Sequence, residues 1–270
     1  MTASSTSCQS AHVTFGESLR GYLAKPAGLG PFPAVVLLHE RYGLFQHTLD
    51  LAEKFAAQGC LCLAPDLYSR IEEQTELLAG QVSIPVHDDQ VRQDLDAAIA
   101  YLRDLSEVDV SRMALMGVCM SGRYPITVGA YRKDLRALVV FYGGAAPKEW
   151  DAGEYFPEPL ADLFPRIGAP VLGVFGERDH VVPLESVLRL RDVLEGANKS
   201  YEITIYADMP HGWLNDRMPA RYRADGAARA WRQLMDFLGR AFEGAYSAER
   251  VQWRFESRIS DDPSKNVRLA

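Results

Sequence analysis

A chain of 270 residues suits one large α/β domain and can bury a core without disulfide staples. Its net charge of −7 argues against a nucleic-acid partner, which needs a positive face. No apolar run reaches the roughly 20 residues that span a bilayer. The polar start MTASSTSCQSAHV lacks the apolar core of a signal peptide, so the expected location is the cytoplasm, with no membrane partner.

In chain order, HVTFGES and RGYLAKP read as the two strands of an opening hairpin. PAVVLLHE (33–40) is a continuous apolar run, as in a strand covered on both faces. TLDLAEKFAAQG is a helix closed by Gly59, and CLCLAPDLY is the next strand, ended by Pro65. Residues 69–87 collect turn formers and charges and read as a loop or small excursion. DDQVRQDLDAAIAYLRDL is an amphipathic helix. RMALMGV (112–118) is a strand, and CMSGRYPITVGAYR starts a helix at once, with Pro125 in its first turn.

LRALVVFYGG is a further buried strand, whereas four prolines between 145 and 168 forbid one long helix there. PVLGVFGERD (170–179) and YEITIYAD are strands; LESVLRLRDVLEGA and ARAWRQLMDFLGRAF are helices. Strand and helix alternating in this way predict a mainly parallel sheet of about eight strands with helices on both faces. The pattern changes near residue 243, so the domain is placed at 1–243 and an extension at 244–270. Within it VQWRFESRIS alternates like a strand. Trp253 and Phe255 are costly to leave in water, which favours an arm packed on the domain or on a partner subunit of a homodimer over a loose tail.

The cysteines at 8, 60, 62 and 119 form no disulfide framework. Cys60 and Cys62, two apart on a strand, read as small buried hydrophobes; no nearby ligands complete a metal site. Cys119 is different. It sits between a strand ending at Val118 and a helix, where a sharp turn lifts a side chain above the sheet edge. Gly117, Ser121 and Gly122 are small, as the close approach of strand and helix requires. The helix N-terminus favours a thiolate, and the Met120 N–H is offered to an oxyanion. A thiol nucleophile needs a base, and the base needs an orienting acid. Asp179 and His211 each follow a later strand, in the chain order nucleophile, acid, histidine. Taken singly, Asp179 reads equally well as a turn residue and His211 as a loop histidine; their joint order is that of α/β-hydrolases.

The stretches LLHERYGL, APDLY, GVCMSG, GERD and MPHGW resemble the dienelactone hydrolase family, the cysteine-nucleophile branch of the α/β-hydrolase fold, over roughly residues 12–240. The resemblance implies an ester or lactone hydrolase without cofactor or metal, acting on a small molecule. It implies Cys119 as nucleophile, His211 as base and Asp179 as its partner. It adds Glu40, which would contact the resting thiol and take part in its activation, and Arg41, whose N–H would be the second oxyanion donor. Ser121 stands where the family's elbow has a glycine. Arg70, Arg123 and Arg217 are the candidates for holding a substrate carboxylate, with Arg123 equally readable as solvent-facing. Tyr42, Tyr142 and Trp213, at strand ends, are expected to line the pocket or fill the core. Two alternatives stay open: cleavage of another acyl or phosphoester bond on the same site, and a non-catalytic binding protein of this fold.

Overall fold

The apolar runs pair into one sheet in the computed structural model, which describes residues 8–247 and 249–257. The strands are β1 (Gln9–Phe15), β2 (Leu19–Lys25), β3 (Phe32–Leu38), β4 (Leu61–Pro65), β5 (Val108–Val118), β6 (Ala137–Phe141), β7 (Val171–Arg178), β8 (Tyr201–Pro210) and β9 (Trp253–Ser257). Their order across the sheet is β1-β2-β4-β3-β5-β6-β7-β8-β9. β1 and β2 run antiparallel to their neighbours, and every pairing from β4 to β9 is parallel. This is the mainly parallel α/β-hydrolase sheet. It has nine strands among the described residues, because part of the C-terminal extension adds β9 to β8.

Every residue of β4 and β6 is buried, which explains their unbroken apolar sequences. The sheet separates two cores. Helices Gln46–Ala57 and Ala224–Phe242 cover one face, with Leu51, Phe55, Leu234 and Phe237 at the contact. Helices Asp88–Arg103, Tyr124–Tyr131 and Leu184–Gly196 cover the other, with Leu95, Ile126 and Leu190 buried.

Local chemistry modifies two of the expected elements. The segment after Cys119 begins with a 3₁₀ turn, Cys119–Arg123, before the α-helix starts at Tyr124 with Pro125 in its first turn, where no N–H is needed. The excursion over 69–87 holds one short helix, Thr75–Leu78. Among the described residues no helix is long and apolar enough to cross a membrane. The polar segment DDPSKNVRLA lies outside the described residues.

Candidate active site

Parallel topology brings the C-terminal ends of β3, β5, β7 and β8 to one edge, and the chemistry-bearing residues follow those ends. Cys119 leaves β5 with φ of 57°, in the left-handed region that a side chain rarely adopts. The turn leaves no room for Cβ atoms around it. A Cβ on Gly117 would lie 2.1 Å from the Ser121 carbonyl oxygen, and one on Gly143 would lie 2.0 Å from that of Cys119. Ser121 does more than stay small. Its hydroxyl accepts the Val118 N–H at 2.9 Å and faces the carbonyls of Val118 and Leu38, at 3.0 and 3.1 Å, as acceptors for its own hydrogen. The Ser121 side chain therefore pins the cysteine turn to the end of β3.

The half-buried thiol meets His211. Cys119 Sγ lies 3.0 Å from His211 Nε2, and His211 Nδ1 lies 2.9 and 3.1 Å from the two carboxylate oxygens of Asp179. Asp179 is fully buried, and its Oδ1 also accepts the N–H groups of Val181 and Val182 at 2.8 and 3.0 Å. Those bonds fix the carboxylate independently of the histidine. Burial works against a charged ring at His211. The charge of Cys119 and the hydrogen bond to Asp179 outweigh it and hold the imidazole well above its usual range. The three groups meet from strands ending 60 and 32 residues apart (179 − 119 and 211 − 179), in the expected chain order.

Glu40, just past β3, is buried beside the same cavity. Its Oε2 accepts a 2.5 Å hydrogen bond from Asn215 Nδ2. The loop carrying it is clamped by His39. Leu67 N–H donates to His39 Nε2 at 3.0 Å, so the ring hydrogen sits on Nδ1 and donates to the Glu40 carbonyl at 2.6 Å. Burial pushes the His39 imidazole down, which suits this neutral tautomer.

A cavity of about 320 Å³ opens over the thiol, bordered by Glu40, Arg41, Tyr42, Cys119, Met120 and His211 among others. Tyr42, Arg41 and Met120 border the cavity. The other expected pocket residues are placed differently. Tyr142 and Trp213 are fully buried behind His211, with Tyr142 packed at 5.3 Å on its ring and Trp213 on Tyr142 at 6.2 Å. Burial, then the neighbouring charges of Glu40, Cys119 and Asp179, push the Tyr142 phenol far up and keep it neutral.

None of the three expected arginines borders the cavity. Arg123 neither faces water nor borders the cavity; it is fully buried, paired with Asp88 at 2.8–3.1 Å and stacked over Phe156 at 4.6 Å. Arg70 is drawn to the buried carboxylate of Asp94 by two bonds of 2.7 and 2.6 Å. Arg217 ion-pairs with Asp50. Each is held by an acid far away in sequence. The basic side chains that do border the cavity are Arg41, Lys148 and Arg221. Asn215, which holds Glu40, and Glu149, a buried acid on the cavity wall, were also absent from the sequence reading. Neither belongs to a motif, so no local signal marks them. Among the described residues no group of three or more His, Cys, Asp or Glu side chains is arranged to hold a metal ion.

The model of the dienelactone hydrolase family matches residues 19–242. The chain belongs to the dienelactone hydrolase family. Among its relatives is a protein of Methylorubrum extorquens named "Putative carboxymethylenebutenolidase", 31% identical over 80% of this chain and 75% of the relative. A protein of Escherichia coli with the same name is 32% identical over 83% of each chain. Of solved structures, one titled a putative dienelactone hydrolase from Klebsiella pneumoniae is similar with a TM-score of 0.76 at 28% identity, over 86% of this chain and 98% of that one. A metagenomic structure titled a dienelactone hydrolase-like promiscuous phosphotriesterase shares the fold, with a TM-score of 0.71 at 21% identity over 87% and 99% of the two chains. The chain is thus a hydrolase of this family by descent as well as by fold.

Proposed function

We propose that this hydrolase cleaves ester or lactone bonds through a thioester on Cys119. The observation that carries the reading is the continuous line from Cys119 Sγ to His211 Nε2 at 3.0 Å and from His211 Nδ1 to Asp179 at 2.9 Å. His211 takes the thiol proton, and the resulting imidazolium is stabilised by Asp179. The thiolate attacks the substrate carbonyl. The N–H groups of Met120 and Arg41 hold the oxyanion, aided by water exclusion in the cavity. His211 then returns the proton to the leaving alkoxide, which in a lactone stays attached to the acyl group. In the second half His211 takes a proton from water as the oxygen attacks the thioester carbonyl; the C–S bond then breaks, the Cys119 thiolate takes that proton back from His211, and the free acid is released. Glu40, held by Asn215, presents a second carboxylate to the cavity and shares in activating the thiol as substrate enters.

Turnover of a nitrophenyl ester and of a small lactone by Cys119→Ala tests the reading. Loss of turnover with an unchanged thermal melt is the expected result. Unchanged turnover removes Cys119 from the mechanism. A panel adding a thioester and a phosphotriester then places the preferred bond.

A further inference from the structure

The sheet ends in two strands that have a neighbour on one side only among the described residues, β1 and β9. An open edge presents a row of backbone donors and acceptors and is a template for another strand. We propose that β9 pairs antiparallel with β9 of a second copy of this chain across a two-fold axis, joining two sheets into one.

The register follows from the backbone. Tyr201 N–H donates to the Gln252 carbonyl at 2.9 Å, and Tyr201 faces Trp253 in the parallel pairing. Backbone groups alternate sides along a strand. Gln252, Arg254 and Glu256 therefore direct theirs toward β8, while Trp253, Phe255 and Ser257 direct theirs outward. A two-fold axis centred on Phe255 pairs Phe255 with its own copy and Trp253 with Ser257 of the second copy. Every outward N–H and carbonyl of the strand then has a partner.

That register also sets Arg254 directly opposite Glu256 of the second copy, twice. These are the positions between hydrogen-bonded pairs, where side chains stand closest. Centring the axis on Arg254 or Glu256 would also leave the outward backbone groups paired, but it would oppose like charges at the centre. The backbone fixes which groups the edge offers, and charge selects the register. Within the chain Arg254 reaches Glu202 and Glu256 at 3.9 Å each, the limit of an ion pair; Arg254 is exposed and Glu256 half-buried. Trp253, on the opposite face of the strand, is 52% exposed, a large aromatic surface at the edge that a second copy would cover. β1 lacks such a device. Its sequence QSAHVTF has no acid and no Lys or Arg, so it offers no self-complementary charge pairing.

The test is sedimentation velocity on the full chain from low micromolar to several hundred micromolar. A concentration-dependent dimer is expected. Arg254→Glu and Glu256→Arg each place like charges opposite one another at both contacts and should weaken dimerisation roughly tenfold or more. The double variant Arg254→Glu/Glu256→Arg should restore it, because the opposite charges are exchanged within the same register. Thermal melts of the three variants check that the fold is retained. A chain that stays monomeric throughout the range overturns the proposal. So does a dimer that the single variants leave unchanged, or that the double variant fails to restore. Ester turnover by wild type and variants is read separately, and failure of the hydrolase reading would leave these outcomes untouched.

Discussion

Replacing Asp88 by alanine separates a structural arginine from a substrate-binding one. Arg123 closes the 3₁₀ turn that begins at Cys119, and it is fully buried and ion-paired with Asp88. Burial pushes the Asp88 carboxyl up, and Arg123 offsets only part of that. Desolvation of the pair is thus comparable to the attraction within it, and the pair adds little net stability. Removing one partner is another matter. Arginine cannot shed its proton, so Asp88→Ala leaves an unpaired buried charge, held by two backbone carbonyls, of Glu149 and Glu158, and by Phe156. Such a loss costs about 3–5 kcal/mol. At roughly 2–4 °C per kcal/mol for a chain of this size, Tm should fall by on the order of 10 °C. Arg123→Met should also destabilise, since two carbonyls and a carboxyl lose their donor. The double variant Asp88→Ala/Arg123→Met should lose less than the sum, by about 2 kcal/mol or more, because no charge remains to strand. Denaturant unfolding of the four proteins measures this cycle. Strict additivity, or a loss under about 1 kcal/mol for Asp88→Ala, would refute the reasoning. Kinetics give a second reading. Arg123→Met should not raise KM for a carboxylate-bearing ester more than for its neutral analogue.

Three other outcomes are expected. Asp179→Asn keeps an acceptor for Val181 and Val182 but no longer stabilises an imidazolium, so kcat/KM should fall about 10³–10⁴-fold in steady-state assays. Glu149 is pushed up to about 7 from 4.5 by burial, against the pull of its Ala146 N–H bond, Arg123 and Lys148, with Asp88 adding to the rise. Its native carboxyl keeps a proton that the unfolded chain loses, so stability falls as pH rises from about 4.5 to about 7; Glu149→Gln should abolish a loss on the order of 3 kcal/mol in denaturation at pH 8 against pH 4.5. Mapped iodoacetamide labelling should find Cys119 ahead of Cys8, Cys60 and Cys62, because a catalytic thiolate is stabilised and reachable while burial raises the Cys60 thiol to about 11 and pushes that of Cys62 well up; equal slow labelling of all four would favour a binding protein over an enzyme.

The fold and the order of the site were legible because both rest on local signals. Each strand is a short apolar run and each helix a 3.6-residue stripe. Cys119, Asp179, His211 and Glu40 stand immediately after such runs, so alternation alone carries them to one sheet edge. The ninth strand was visible in the alternation of VQWRFESRIS, but its attachment to β8 was not, since pairing has no sequence mark. The arginines were illegible for a related reason. Arg70, Arg123 and Arg217 find Asp94, Asp88 and Asp50, at separations of 24, 35 and 167 residues. A cation near a cleft looks the same in sequence whether a substrate or a buried acid awaits it.

The same limit explains how the nucleophile turn is held. A strained φ at Cys119 persists only if its surroundings over-determine it. Three ties do so from separate parts of the chain. Ser121 links the turn to Leu38 at the end of β3, His39 links the following loop to Leu67 after β4, and Asn215 links Glu40 to the loop of His211. All three converge on the segment 38–40, so the β3 end is the common support of the thiol, the Glu40 carboxylate and the histidine loop. Ser121→Gly removes one tie and the acceptor of the Val118 N–H together. The serine is thus a local solution to the geometry that the elbow demands.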